Sequence, residues 1–378
     1  MAEEKSKQKQ ISKNIIDYVS SFYKSFEEEK VNEVDFAVFA KLSYFNFDVY
    51  LKSFKECITI GKMYDISKRD SFLKRLAYNA DDLLLFNAIT GNPRYKKVIC
   101  ASFVSSFSKE NAEQFAAITF ILPTKEKIVT YRGTDATLVG WKEDFDMAIR
   151  CPIPGQVSAY NYLIKVAKKY GKSKLYLCGH SKGGNLASYS YFAAPNKIAK
   201  KIEAVYSFDG PGFSEKLKTK LDVVHKYNKL VKYIPYQSII GQIYSNADNK
   251  IVVASEGSLL AQHNLYKWHV DLDNNSFEKE LKMSERVNNA CQGFNKWLLT
   301  CKDDEIEFLV EKMYMIISDS DVDSAKDITD HKFSSLRRIM KTFKEENEDT
   351  KKKASELGKQ ILSNIWTYMR SDGTDDND

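Results

Sequence analysis

The sequence predicts an α/β fold: a mostly parallel sheet flanked by helices, with helical additions at the N-terminal and C-terminal ends. Three observations predict it. A Gly179-x-Ser181-x-Gly183 pentapeptide stands between a short apolar strand, 175–178, and an Ala/Leu-rich helical stretch. An amphipathic helix over 158–170 separates that strand from an earlier β-rich run, giving a βαβ unit and so parallel strands with a right-handed crossover. Upstream, the β-rich runs 114–122 and 127–131 are joined by Pro123-Thr-Lys-Glu126, the pattern of an antiparallel hairpin.

The elements follow in order. Segment 15–26 carries Ile15, Ile16, Val19, Phe22 and Phe26 at near-helical spacing, and 34–50 and 66–86 continue as helical pieces. Gly91-Asn-Pro93 ends that block as a turn, and β-rich sequence begins at 97–104. In the helix 158–170, Ala159, Leu163, Val166 and Tyr170 share one face, and Gly171 stands where a C-cap belongs. Pro195 stops the helix after the pentapeptide; 201–208 is the next strand, ending at Asp209-Gly-Pro-Gly212. Segment 214–226 reads as a polar helix, 234–244 and 250–255 as further sheet elements, and the chain from 277 onward as mostly helical. The resulting division is a disordered tail over 1–12, a helical part over 13–96 packed on the core, the α/β core over 97–275, a C-terminal helical region over 276–370 and an acidic disordered tail over 371–378.

Composition narrows the classes. With 43% hydrophobic and 13% aromatic residues, the 378-residue chain has material for a sizeable core. Its 57 basic and 51 acidic side chains are interspersed, so the net charge of +6 argues against nucleic acid as a partner. The polar first ten residues do not form a signal peptide, and no apolar run is long enough to span a membrane. Six scattered cysteines without a C-x-x-C pair read as free thiols in a reducing cytoplasm; none has metal-ligand spacing, so no metal and no cofactor are expected.

The pentapeptide carries the chemistry. A serine at the tip of a sharp strand-to-helix turn sits in strained backbone, and glycine at 179 and 183 removes collisions with the neighbouring strand and helix. The following helix points free N–H groups at whatever Ser181 attacks, so the Lys182 amide becomes an oxyanion donor. Such a serine needs a base. Five histidines are available. His180 reads as a packing residue pointing away from Ser181, and His225 and His331 as surface residues. His263 follows the strand 250–255 in a loop able to fold back over the turn; His269 is the second candidate. For the orienting acid, Asp209 lies at the C-terminal end of the strand after the pentapeptide, with Asp248 the competitor and Asp222 weaker still. Tyr131-Arg-Gly-Thr-Asp135 follows the 127–131 strand; Gly133 lets that loop approach Ser181, and Thr134 can supply a second oxyanion donor.

Together, Arg132-Gly-Thr before Trp141 and Asp144, and Gly-His-Ser-x-Gly-Gly after them, resemble the class 3 lipase branch of the α/β-hydrolases. The closer resemblance is to the Mbeg-like family of bacterial proteins. It rests on Arg132 to Asp144, Gly179-His-Ser-Lys-Gly-Gly-Asn-Leu-Ala187, Asp209-Gly-Pro-Gly-Phe213, Ser238-Ile-Ile-Gly241, Gln262-His263 and an opening from Asn32 to Tyr44, and it covers roughly 14–300. The resemblance implies an α/β-hydrolase-type fold with Ser181 as nucleophile, His263 as base and Thr134 with Lys182 around the oxyanion, and it adds weight to Asp209. The chain departs from ordinary lipases in three places. Lys182 follows the serine where a bulky apolar residue is usual, Lys229-Leu-Val-Lys-Tyr-Ile-Pro235 lacks the lipase aspartate, and Asn264 follows the histidine. The expectation is a cytoplasmic serine esterase acting on a lipid or small acyl ester. The alternative is an inactive scaffold serving as a binding or interaction module. Amphipathic 360–369 offers a peripheral membrane contact in place of packing on the core.

Overall fold

The computed structural model describes residues 12–74, 76, 79–108, 110, 113–134, 152–221, 228–245, 250–300, 302, 304–305, 308 and 348–371. A nine-stranded sheet organises them. In chain order the strands are β1 (Cys57–Thr59), β2 (Ile99–Ser108), β3 (Glu113–Ile121), β4 (Lys127–Tyr131), β5 (Leu175–His180), β6 (Ile202–Phe208), β7 (Leu230–Pro235) and β8 (Lys250–Val253). A two-stranded hairpin, β9 (Val270–Asp271) with β10 (Ser276–Phe277), precedes β11 (Lys279–Glu280), which closes the far edge of the sheet beside β8. Spatial order follows chain order from β1 to β8. Strands β1 to β4 pair antiparallel, β4 to β8 pair parallel, and β11 returns antiparallel. The architecture is α/β, a mixed and largely parallel sheet with helices on both faces.

Both faces of this sheet are covered, as parallel strands require, and the side-chain alternation of each strand shows it. Val129, Tyr131, Leu175, Leu177 and Val205 face α5 (Pro154–Lys169) and α6 (Lys182–Ala193). Ile128, Cys178, Phe208 and Tyr233 belong to the other core, built with α1 (Ile15–Ser21), α2 (Glu33–Leu42), α3 (Ile66–Phe72) and α4 (Asn79–Gly91). Within that core, Phe36 of α2 stacks on Tyr206 with ring centroids 4.0 Å apart, and Phe39 meets Phe120 at 4.8 Å. Helix α5 starts with Pro154 at its first turn, where the missing N–H costs nothing, and ends before Gly171 at φ +58°, the left-handed residue that terminates helices.

A fully buried ion pair ties the N-terminal helices together. Arg94 meets the Asp35 carboxylate through both Nε and Nη2, while Tyr95 Oη donates to the same carboxylate. The remaining guanidinium protons go to the carbonyls of Lys24, Glu29 and Lys30, so one side chain secures the whole α1–α2 connection. At the other end α7 (Glu285–Thr300) packs against α8 (Glu348–Ser371), with Leu357 buried. Helix α8 includes 360–369, but the side chains of Ile361, Ile365, Trp366 and Met369 lie outside the described residues, as do Ile306 and 309–347. No helix among the described residues is long and apolar enough to cross a membrane.

One expected strand is corrected. The sheet element expected at 234–244 is β7, which begins at Leu230 and ends at Pro235. Beyond Pro235 the chain turns, with Ser238 N–H bonded to the Pro235 carbonyl, enters a 3₁₀ turn at Ile240–Gln242 and reaches Tyr244 at φ +52°. Apolar Ile239, Ile240 and Ile243 imitate a strand in sequence, but this segment folds around a carboxylate. The polar helix expected over 214–226 is described only at Glu215–Lys220. Strands β1 and β11 are short edge strands without a sequence signal of their own.

Candidate functional site

Sheet register brings the relevant loops together. Tyr131 lies beside Gly179, and His180 beside Phe208, so Arg132, Ser181 and Asp209 all emerge at the C-terminal ends of adjacent parallel strands. Loops after β7 and β8 leave from the same edge. Ser181 occupies the junction of β5 and α6 at φ +59°, ψ −132°, a backbone state that costs a non-glycine residue about 1–3 kcal/mol. It is held by its N–H to the Phe208 carbonyl at 2.9 Å and by its own carbonyl, which accepts from Gly184 N. The turn is too tight for side chains on its flanks. A Cβ on Gly179 would stand 2.2 Å from the Gly183 carbonyl carbon, and one on Gly183 would stand 2.2 Å from the Tyr131 carbonyl oxygen.

The loop after β4 closes on this turn. A Cβ at Gly133 would lie 2.6 Å from the His180 carbonyl oxygen and nearer still to the Tyr44 hydroxyl. Thr134, partly buried, is therefore carried on a segment in direct contact with the β5–α6 turn, while Asp135, Trp141, Glu143 and Asp144 lie outside the described residues. Lys182 opens α6 with its side chain buried, and its Nζ donates to the Gln114 carbonyl at 3.1 Å. A lysine is accommodated after the serine because its ammonium reaches β3 instead of the space above Ser181.

Asp209 and His263 meet. Asp209 is 1% exposed, at φ +47°, with its N–H on the Tyr233 carbonyl. Its Oδ2 is 2.6 Å from His263 Nδ1; its Oδ1 accepts from Ser238 Oγ and from Gly241 N–H at 3.1 Å. The carboxylate thus explains the turn after β7: Ser238 and Gly241 neutralise one oxygen and leave the other for histidine. Sequence reasoning assigned neither residue a role, although both fall in the Ser238-Ile-Ile-Gly241 block. Of the competing acids, Asp222 and Asp248 lie outside the described residues, as do His225 and His331. His269 points elsewhere, with Nδ1 3.6 Å from Glu278 Oε2.

His180, expected to pack only, holds His263 in place. Its Nε2 is 2.7 Å from the His263 carbonyl oxygen and its Nδ1 3.0 Å from Tyr44 Oη, with the two imidazole centroids 4.4 Å apart. Burial first, then the nearby His263 and Lys41, holds the His180 pKa well below the usual imidazole range. The ring is therefore neutral, and because a carbonyl only accepts, the proton sits on Nε2 and Nδ1 accepts from Tyr44. Tyr44, just after α2, closes the Asn32 to Tyr44 opening of the family resemblance, but the sequence gives it no role there. A second tie runs nearby: Lys41 pairs with buried Asp82 at 2.9 Å, and Tyr266, three residues after His263, donates to the same carboxylate at 2.8 Å.

Among the described residues Cys57, Cys100, Cys178 and Cys291 are unpaired, and burial pushes the Cys178 thiol up to about 12, which leaves it a small core residue.

The chain belongs to the Mbeg1-like family, whose model matches residues 89–315. Among solved structures it is similar to M37 lipase, at 14% identity and a TM-score of 0.36 over 56% of this chain and 70% of that one. It is also similar to the Rhizomucor miehei lipase in its propeptide complex, at 12% identity and 0.36 over 58% and 66%, and to lipase II from Rhizopus niveus, at 12% and 0.32 over 62% and 80%. No curated protein matches the sequence.

Proposed function

We propose that the protein is a serine hydrolase of the class 3 lipase-like type that cleaves a carboxylic ester, a lipid or a small acyl ester, through an acyl-enzyme on Ser181. The observation that carries this reading is the 2.6 Å contact between His263 Nδ1 and Asp209 Oδ2 beside a serine held at positive φ on a strand-to-helix turn. With Nδ1–H donated to the carboxylate, Nε2 is the nitrogen left to take the Ser181 proton, and Asp209 favours the imidazolium that results. Ser181 Oγ then bonds to the ester carbonyl carbon. The tetrahedral oxyanion rests on the amides of Lys182 and Thr134, each such donor lowering the barrier by about 3 kcal/mol. His263 returns the proton to the departing alcohol; water, deprotonated in turn by His263, releases the acid and restores Ser181.

The test is covalent labelling of the purified protein with a fluorophosphonate probe, comparing wild type with Ser181→Ala and His263→Ala. Labelling of wild type alone, mapped to Ser181, supports the reading. A folded wild type that stays unlabelled and hydrolyses no p-nitrophenyl ester overturns it and leaves the scaffold to a binding role.

A further inference from the structure

A cavity of about 790 Å³, lined by neither Asp209 nor Ser181, lies between the turn after β7, the start of β8, the segment after β11 and helix α7. Its volume falls within the roughly 300–1,000 Å³ typical of small-molecule sites. The lining divides by chemistry. Lys250, Lys282 and Lys296 supply three cations against the single carboxylate of Glu285, and Gln242, Ser245, Asn288 and Asn295 add neutral polar groups. Leu281, Met283, Val252 and Leu299 supply apolar surface, with Leu281 fully exposed and Leu299 more than half exposed.

A fourth cation stands behind the polar wall. Lys232 is buried on β7, beside Lys250 in the sheet register, and its Nζ donates to Ser245 Oγ at 2.9 Å. No carboxylate lies within 4 Å of that ammonium among the described residues. Burial lowers its pKa to about 7 against the opposing pull of Asp209, with Lys250 and Lys218 lowering it further. An amine buried with no carboxylate within 4 Å among the described residues adds to the basic side of a wall where, among the described residues, three lysines face one glutamate, and a bound anion would favour its charged form.

We infer that this cavity is a second binding site, for an anionic amphiphile: a single anionic head group seated against Ser245 and Lys250 and an alkyl chain running out past Met283, Leu281 and Leu299. A free phosphate or nucleotide would leave the apolar half unused, and a neutral lipid would leave Lys282 and Lys296 unanswered. The site stands apart from the proposed chemistry at Ser181. It shares a wall with it, because Gln242 Nε2 donates to the Ser238 carbonyl and Asn295 Nδ2 to the Gln242 carbonyl, while Ser238 Oγ holds Asp209.

The experiment is calorimetric titration of the full chain with sodium dodecanoate and dodecyl phosphate below their micelle concentrations, with dodecanol and dodecyltrimethylammonium as controls. Wild type, Ser181→Ala, Lys282→Glu/Lys296→Glu and Leu281→Asp are compared; all three substituted positions outside the serine are exposed, so folding is preserved. Expected is one anion per chain, bound equally by wild type and Ser181→Ala and weakened about tenfold or more by the double charge reversal and by added salt. Leu281→Asp weakens both anions as well, which places them in this cavity and not at Ser181. A preference for dodecanoate assigns the head-group position to a carboxylate, and one for dodecyl phosphate to a phosphomonoester. Equal binding of dodecanol or the ammonium, indifference to both sets of substitutions, or no binding to folded wild type overturns the inference.

Discussion

His180 Nε2 donates a hydrogen bond to the main-chain carbonyl of His263, 2.7 Å away, so the residue before the serine fixes the backbone of the residue proposed as its base. Its other nitrogen is occupied by Tyr44. Replacing Tyr44 by Phe removes the donor and leaves a neutral ring with one unpaired nitrogen, a loss of about 1 kcal/mol in the positioning of His263. Fluorophosphonate labelling of Tyr44→Phe should run roughly five times slower than wild type while the melting temperature falls only slightly. An unchanged labelling rate would mean that His180 is merely a core residue.

Protons should reveal the same ring. The unfolded chain binds a proton at His180 near the ordinary pKa of about 6.5, whereas the folded ring, its pKa lowered by burial, stays neutral. Below that pH the unfolded state holds the extra proton, so stability falls as pH drops from 7 toward 5, with a slope of up to about 1.4 kcal/mol per pH unit. Thermal melts of wild type and His180→Asn across this window should differ in slope, the variant being the flatter.

Lys232 acts in the same direction at higher pH. Its folded pKa of about 7 lies below its ordinary 10.5, so between these values the unfolded chain carries a proton that the folded chain lacks. The contribution of this group therefore rises with pH from 7 to 10.5. Lys232→Met should stabilise the protein at pH 7 by about 1–3 kcal/mol and abolish that part of the rise. Denaturant titrations at pH 7 and 9.5 measure both effects.

Asp209 is served by three groups, and their loss should be graded. Asp209→Asn removes the carboxylate that orients His263 and should cut ester turnover by about a thousandfold or more. Ser238→Ala removes one donor to Oδ1 and should cost about tenfold. Comparable losses in the two variants would point to collapse of the turn after β7, which circular dichroism and melting would expose.

The Asp35–Arg94 pair is structural. Arg94→Met leaves a buried carboxylate without its cation and should lower stability by about 3–5 kcal/mol. Chemical denaturation of the variant checks the size of the loss.

What the sequence disclosed follows from how local each feature is. The β5–Ser181–α6 turn was readable because strand, glycines and helix lie within a few residues, and each is required by the others. Chain order and the position of strand ends were enough to nominate Asp209 and His263, which the structure places in contact. The partners of those two were not readable. Ser238 and Gly241 look like part of an apolar strand until the carboxylate they surround is known, and although Tyr44 falls in the opening of the family resemblance, nothing in the sequence assigns it to His180. Lys232 likewise sits in an ordinary strand pattern; only the sheet shows that its amine is buried with no carboxylate within 4 Å among the described residues.

The Tyr44–His180 contact also constrains synthesis. It joins positions 136 residues apart, and the Asp209–His263 contact closes only after a further stretch of chain has been made. On a ribosome, the serine turn would be extruded and free to fold well before the histidine that faces it exists. Until then, His180 can meet Tyr44 but has no carbonyl to hold. The nascent protein therefore has its serine turn before the histidine proposed as its base, and the proposed reaction would have to wait until the chain beyond β8 folds back onto helices made much earlier.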